Sequence, residues 1–180
     1  SEFSTVQAKG KDGGSSVTRR TYMLKLAGEV LTGEPAPEGY RNADMDRGNE
    51  QEAEARALYA ITFETPTRVG FIRNGDKGAS PDSLIGANGG LEIKTALPHI
   101  QIERLLRDEL PSEHRTQVQG NIWVAEREWW DFCSYWPRLP LLTIRVYRDD
   151  AYIANLAKAV DAFNEELESV VASIRTYENF

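Results

Sequence analysis

Cysteine and histidine are scarce in this 180-residue sequence, which has one cysteine, Cys133, and two histidines, His99 and His114. A single cysteine excludes both an intramolecular disulfide and a four-cysteine iron–sulfur cluster. The two histidines share no ligand spacing with the cysteine or with each other, so a zinc site is not expected. Any metal chemistry is therefore expected to use oxygen ligands.

Long apolar runs and an excess of positive charge are also missing. No apolar run approaches the length needed to cross a bilayer and no secretory signal is visible, which predicts a soluble protein of the cytoplasm without membrane contact. The formal net charge of −7 argues against broad coating of DNA but is compatible with a narrow basic channel. The length and the 41% hydrophobic content predict a single domain over residues 1–180.

Two acidic residues and a lysine stand close together near the middle of the sequence. Asp82 lies in the run Ser80–Gly86, and Glu92 and Lys94 lie in the run Gly90–Lys94. Residues 87–90, Ala-Asn-Gly-Gly, tolerate positive φ and predict the turn of a β-hairpin. Because strand side chains alternate between two faces, Glu92 and Lys94 share one face, and Asp82 would join them if residue 82 pairs near residue 94.

Two carboxylates and an amine in one place suit phosphodiester hydrolysis. The carboxylates can hold a hard divalent cation that polarises a phosphate and activates a water. The lysine can orient or deprotonate that water, or stabilise the charge that builds on the phosphoryl oxygens. The alternative is a surface hairpin in which Lys94 merely pairs with Asp82 or Glu92.

The remaining periodicities predict helices before, between and after a mostly consecutive sheet, hence an α/β (α+β) fold. Predicted helices cover about 17–31, 47–63, 98–106 and 150–174, with a further helix that carries Gln117 and Trp123 and is capped by Ser112. Predicted strands cover about 68–73, 79–85, 91–96, 129–135 and 141–147. Loops are expected at about 9–16 and 34–46.

An ordered series of motifs surrounds the central acidic residues and lysine. Upstream, the pattern G-x-x-x-E-x-x-A-R-x-x-Y/F is matched by Gly48, Glu52, Ala55, Arg56 and Tyr59. Downstream, the series continues with Gln117-Val118-Gln119, Trp123-Val124, Trp130-Asp131-Phe132, Tyr135, Pro137-Arg138 and Arg148-Asp149-Asp150-Ala151-Tyr152. Across about residues 20–165 the chain resembles the phage lambda exonuclease and YqaJ-type viral recombinase alkaline exonucleases. In that PD-(D/E)xK nuclease superfamily, Pro81-Asp82 and Glu92-Ile93-Lys94 are the two halves of the signature.

The resemblance implies a PD-(D/E)xK nuclease core, with a mixed central sheet flanked by helices, and a set of site residues. Mg²⁺, for which Mn²⁺ could substitute, would be bound by Asp82, Glu92 and the backbone carbonyl of Ile93. Glu52, in preference to Glu50, would be a further ligand. Calcium is expected to bind without supporting catalysis. Lys94 would act on the nucleophilic water, Gln117 would lie beside the active site and position the water or a phosphate, and Ser80 would contact the terminal phosphate.

The resemblance also implies an activity and partners. Such enzymes degrade the 5′-ended strand of a DNA duplex and leave a 3′ single strand for a single-strand annealing recombinase protein, in phage-type recombination within a bacterial host cell. They form ring-shaped homotrimers, to which the aromatic segment 129–136 could contribute, although core packing is the simpler interpretation of those aromatics. The alternatives are a PD-(D/E)xK endonuclease and a catalytically silent protein that binds DNA ends.

Two features depart from the family pattern. Ser83 stands where the family usually has glycine, which should alter the strand locally without removing a ligand. The family's N-terminal segment, R-x-G-x-x-T-A-S, supplies an arginine and a serine to the 5′-phosphate, and it is expected to be incomplete because the sequence starts at Ser1-Glu2-Phe3. The preference for 5′-phosphorylated over 5′-hydroxyl ends is therefore expected to be weaker, unless Arg19 or Arg20 contacts the 5′-phosphate instead.

Overall fold

The structure is a computed structural model that describes residues 2–10, 13–36 and 43–177, apart from the side chains of 43–46. It divides into two compact units, one of residues 41–150 and one that combines 2–40 with 151–180. The helices are α1 Phe3–Gln7, α2 Val17–Thr32, α3 Ala43–Thr62, α4 Pro98–Arg107, α5 Arg115–Ala125 and α6 Asp150–Arg175. The strands are β1 Ile72–Asn74, β2 Lys77–Ala79, β3 Ser83–Ile85, β4 Gly89–Thr95, β5 Trp129–Tyr135 and β6 Leu142–Tyr147.

The first unit contains a four-stranded mixed sheet in the order β3-β4-β5-β6. Strands β4 and β5 are parallel because α4 and α5 form the crossover between them, and the other two pairs are antiparallel. Strands β1 and β2 form a separate hairpin. This arrangement confirms the predicted α/β fold with a mixed sheet and flanking helices.

Buried apolar side chains on the two central strands form the core of this unit. Leu91 and Ile93 of β4 pack with Tyr59, while Trp130 and Phe132 of β5 have no exposed surface. A Cβ atom at Gly90 would lie 2.2 Å from the Trp130 indole, so only glycine lets the ring approach β4 this closely. Burial of the β5 aromatics agrees with the core-packing interpretation of this segment.

Three local predictions were wrong in ways that have physical causes. The strand predicted over 79–85 is split into β2 and β3, since residues 80–82 leave the ladder. Ser112 does not cap α5: it begins a 3-10 turn, Ser112–His114, and makes no side-chain capping hydrogen bond. The loop predicted over 34–46 includes residues 37–42, which lie outside the described residues, and α3 already begins at Ala43.

The register of the β3–β4 hairpin also differs from the expectation. Ser83 pairs with Leu91 and Ile85 with Gly89, so the connection has only three residues, 86–88. Gly89 and Gly90, predicted as turn residues, belong to β4. Asp82 lies just before the first pair of this ladder, Ser83 with Leu91, and does not pair near residue 94, because the shorter connection shifts the pairing.

The second unit is built from α1, α2 and α6. Ser16 caps α2 by accepting a hydrogen bond from the Arg19 amide, and Gly33 ends the helix at φ 73°. The rings of Tyr22 and Phe163 stack with centroids 5.6 Å apart. Across the described residues, no helix combines the length and the apolar character that a membrane span requires.

Candidate active site

Glu92 and Lys94 project from the same face of β4, as the alternation of strand side chains predicts. Glu92 is 2% exposed, and its Oε1 atom lies 2.6 Å from the Nζ atom of Lys94. The Lys94 side chain is 32% exposed, so the ammonium group lies between a buried carboxylate and solvent. The strand thus presents a buried anion with a cation at its outer side.

Helix α5 supplies two amides to the same carboxylate. Gln117 Nε2 donates to Glu92 Oε1 at 2.6 Å, and Asn121 Nδ2 donates to Glu92 Oε2 at 3.0 Å. Residues four apart on a helix share a face, which is why both amides reach one side chain. The sequence analysis identified Gln117 but missed Asn121, although the four-residue spacing was a signal that could have found it.

Asp82 lies between β2 and β3, immediately before the strand that pairs with β4. Its Oδ2 atom accepts a hydrogen bond of 2.6 Å from the Ile93 amide, which fixes the carboxylate beside β4. Burial, followed by the charge of Glu92, raises the pKa of Asp82 to about 7, although the Ile93 amide and Lys94 oppose the shift. Asp82 and Glu92 are therefore close enough to repel each other.

Glu52 is held in an ion pair with Arg56 one helical turn later on α3. The Arg56 Nε atom donates to the Oγ atom of Ser83 at 3.1 Å, and Ser83 is fully buried. Glu52 contributes a smaller part of the rise in the Asp82 pKa, which places its charge in the same electrostatic environment. The serine that departs from the family pattern thus links α3 to the start of β3.

A second polar cluster adjoins Lys94 on the parallel strand. Ser134, which pairs with Lys94 in the β4–β5 ladder, accepts a hydrogen bond from Arg104 Nη1 at 3.0 Å. Arg104 Nη2 lies 3.0 Å from His114 Nε2, and the imidazole ring stacks on Phe132. Burial and then the charges of Arg104 and Lys94 lower the pKa of His114 to about 4.

The residues predicted to contact the 5′-phosphate are Ser80, Arg19 and Arg20. Ser80 is exposed at the end of β2, while Arg19 and Arg20 belong to the second unit. Arg19 bonds there to Val6 O, Ser15 Oγ and Glu166 Oε2. Gln119, two positions after Gln117 on α5, faces elsewhere, and its amide group bonds to the backbone of Tyr147 and Asp149.

The donor set suits a hard divalent cation. Asp82 and Glu92 supply carboxylate oxygens, and their mutual repulsion is what a bound cation would relieve. Throughout residues 2–10, 13–36 and 43–177, no three His, Cys, Asp or Glu side chains are grouped so that they could hold a metal ion.

Comparison with known proteins assigns the chain to a family. The family model of the YqaJ-like viral recombinase domain matches residues 8–128, which is more than half of the chain. The chain belongs to the YqaJ-like viral recombinase domain family. The matched stretch includes Lys94, Gln117 and Asn121, whose side chains bind Glu92, as well as Asp82, Glu52 and Ser83.

Solved structures are similar to this chain over nearly its whole length. The alkaline exonuclease LHK-Exo from Laribacter hongkongensis is 35% identical, covers 97% of this chain over 89% of its own, and superimposes with a TM-score of 0.84. Its complex with dAMP gives the same values. A phage related exonuclease from Haemophilus somnus 129PT, at 16% identity and a TM-score of 0.69 over 96% of this chain and 94% of its own, shares the fold.

A shorter similarity concerns a protein of Escherichia coli strain K12. The uncharacterized protein ExoD is 29% identical over 70 residues, which is 37% of this chain and 80% of ExoD. That similarity is too short to add to the YqaJ-like assignment.

Proposed function

We propose that this YqaJ-like protein is a metal-dependent exonuclease that acts on double-stranded DNA and degrades the 5′-ended strand. The observation that carries the proposal is the group at β4, where Asp82, Glu92 and Lys94 bring two carboxylates and an ammonium together. The 35% identity to an alkaline exonuclease over 97% of this chain supports the reaction class. That relative also binds dAMP, a mononucleotide of the kind that stepwise digestion would release.

Mg²⁺, or Mn²⁺ in its place, is the proposed cofactor. Asp82, Glu92 and the backbone carbonyl of Ile93 would hold it, with Glu52 acting as a further ligand, directly or through a water. The cation would polarise the scissile phosphate and activate a water for attack. Arg56 pairs with the Oε1 atom of Glu52, so a bond from Glu52 to the cation or to its water would use Oε2.

Lys94 and Gln117 are proposed to act on the reacting groups. Lys94 Nζ is tied to Glu92 Oε1 at 2.6 Å yet remains partly exposed, so it can donate to a phosphoryl oxygen or to the attacking water. Gln117 holds the same oxygen atom from α5, and its amide can position the water or a phosphate. Ser80, and Arg19 or Arg20, are proposed contacts for the 5′-phosphate.

The proposed biological role is phage-type recombination in the cytoplasm of a bacterial host cell, with a single-strand annealing protein as partner. A ring-shaped homotrimer would explain processive digestion, because DNA threaded through a closed ring cannot leave between cuts. Light scattering should give the mass of a trimer. A monomer that digests DNA processively would contradict the ring.

The test of the activity uses matched DNA substrates with Mg²⁺. An exonuclease should degrade a linear duplex and leave a covalently closed circle intact, and a 5′ label should be released before a 3′ label. Cutting of the closed circle would favour the endonuclease alternative. Retarded migration of the linear duplex without products would favour the silent end-binding protein, and chelation of the metal should abolish all cleavage.

A further inference from the structure

Helix α5 carries two fully buried amides that serve different partners. Asn121 is 1% exposed and donates from Nδ2 to Glu92 Oε2 at 3.0 Å. Gln119 is 2% exposed and bonds to the backbone of Tyr147 and Asp149. The two side chains therefore have the same chemistry and burial on one helix, and only Asn121 contacts the candidate active site.

The two oxygen atoms of Glu92 are held unequally. Oε1 has two partners, Gln117 and Lys94, whereas the hydrogen bond from Asn121 is the one recorded for Oε2 within the described residues. The terminal torsion of a glutamate is broad, so one anchored oxygen does not fix the plane of the carboxylate. Asn121 is the group that anchors the second oxygen.

A carboxylate oxygen has two acceptor sites. With one of them used by Asn121, Oε2 keeps the other for a cation, in an orientation that the rigid helix defines. We propose that Asn121 is a positioning residue for the metal centre, holding Glu92 in the orientation that binds the divalent cation. This inference rests on the proposed function, because it concerns the metal that the nuclease would use.

The experiment measures Mn²⁺ binding by calorimetry on the metal-free full chain. Asn121→Leu keeps a similar volume and removes the donor, and Asn121→Ser is the second variant in case burial of leucine there disturbs folding. Loss of a group that orients a metal ligand typically weakens affinity by about 10–100-fold. The Mn²⁺ concentration that gives half-maximal cleavage should rise by the same factor, while the rate at saturating Mn²⁺ falls less.

Gln119→Leu is the matched control, since it removes an equally buried amide from the same helix. It should lower the melting temperature and leave the Kd for Mn²⁺ within about twofold of the wild type, because its amide bonds to the backbone away from Glu92. An unchanged Kd for Mn²⁺ in a folded Asn121 variant would overturn the inference, and so would equal weakening in Gln119→Leu. A wild type that neither binds Mn²⁺ nor cuts DNA would overturn the proposed function itself.

Discussion

Two buried carboxylates lie on the neighbouring central strands, and their partners differ in kind. Asp131 of β5 accepts two parallel hydrogen bonds of 2.9 Å from Arg145 and a third of 2.6 Å from the Tyr59 hydroxyl. Glu92 of β4 is held by two neutral amides and one partly exposed lysine. Both side chains are about equally buried, at 1% and 2% exposure.

The difference in partners separates a structural carboxylate from a functional one. A bidentate arginine neutralises Asp131 permanently with fixed geometry, and burial and the Asp131 hydrogen bond raise the pKa of Tyr59 far above its usual value. Neutral amides orient Glu92 without neutralising it. Its one cationic partner, Lys94, is partly exposed, and the charge of Glu92 still raises the pKa of Asp82, which is the behaviour expected of a metal ligand.

The largest expected effect comes from removing, one at a time, the basic side chains that pair with the two buried carboxylates. Lys94→Ala should lower the rate of DNA cleavage by at least ~10²-fold, because the group that meets charge on the phosphate or the water is lost. Arg145→Ala should lower stability and leave the rate per folded molecule within a few-fold of the wild type. Initial rates on a linear duplex, normalised to folded protein, measure both.

If the Lys94→Ala variant cleaved DNA at the wild-type rate, the chemical role proposed for Lys94 would be wrong. DNA binding measured with Ca²⁺ is the control, and it should survive in both variants.

The second expected effect is on stability, when each buried carboxylate is replaced by the amide of the same shape. Asp131→Asn should lower the free energy of unfolding by about 2 kcal/mol, less than for a fully buried pair because Arg145 is 42% exposed and can regain water. Glu92→Gln should change it by less than about 1 kcal/mol, since lost hydrogen bonds are offset by relief of repulsion with Asp82. Urea denaturation without metal gives both values, and equal losses would contradict the distinction.

The sequence predicted the functional half of this comparison better than the structural half. Alternation along a strand placed Glu92 and Lys94 on one face, and the family resemblance pointed to Asp82, Glu52 and Gln117. The register of Asp82 was mispredicted because Gly89 and Gly90 were assigned to the turn, whereas both lie in β4 and the connection has only residues 86–88. Gly90 packs there against the Trp130 ring, a tertiary contact that local turn preferences do not contain.

The partners of each buried carboxylate come from distant parts of the chain. Asp131 draws on Tyr59 and Arg145, which are 72 and 14 residues away, and Ser83 meets Arg56 across 27 residues. No periodicity within one element encodes such contacts. Asn121 is the exception, because a helix that places Gln117 beside Glu92 also places residue 121 there.

A third prediction concerns His114, the neutral base that adjoins Lys94. Its pKa is lowered to about 4 by burial and by Arg104, so the folded state disfavours the charged ring. Its contribution to stability is complete above the unfolded pKa of about 6.5 and is lost as the pH falls from about 6.5 towards 4. His114→Gln should reduce the loss of stability between pH 7 and pH 4.5 by about 1–2 kcal/mol, an estimate discounted for partial solvation.

Urea denaturation of wild type and variant at both pH values gives this double difference. If the free energy of unfolding fell equally in the two proteins, protonation of His114 would not destabilise the folded state.

The smallest expected effect is at Ser83, where the network around Glu52 reaches the start of β3. Ser83→Ala removes a hydrogen bond from Arg56 and one to the backbone carbonyl of Asp82 but leaves the ion pair between Arg56 and Glu52, so stability should fall by about 1.5 kcal/mol. This loss is smaller than the one expected for Asp131→Asn, because Arg56 keeps a charged partner. Chemical denaturation measures it, with Ser173→Ala on an exposed part of α6 as the control that should change nothing. A loss above about 3 kcal/mol would mean that Ser83 holds Arg56 and Glu52 as firmly as Arg145 holds Asp131.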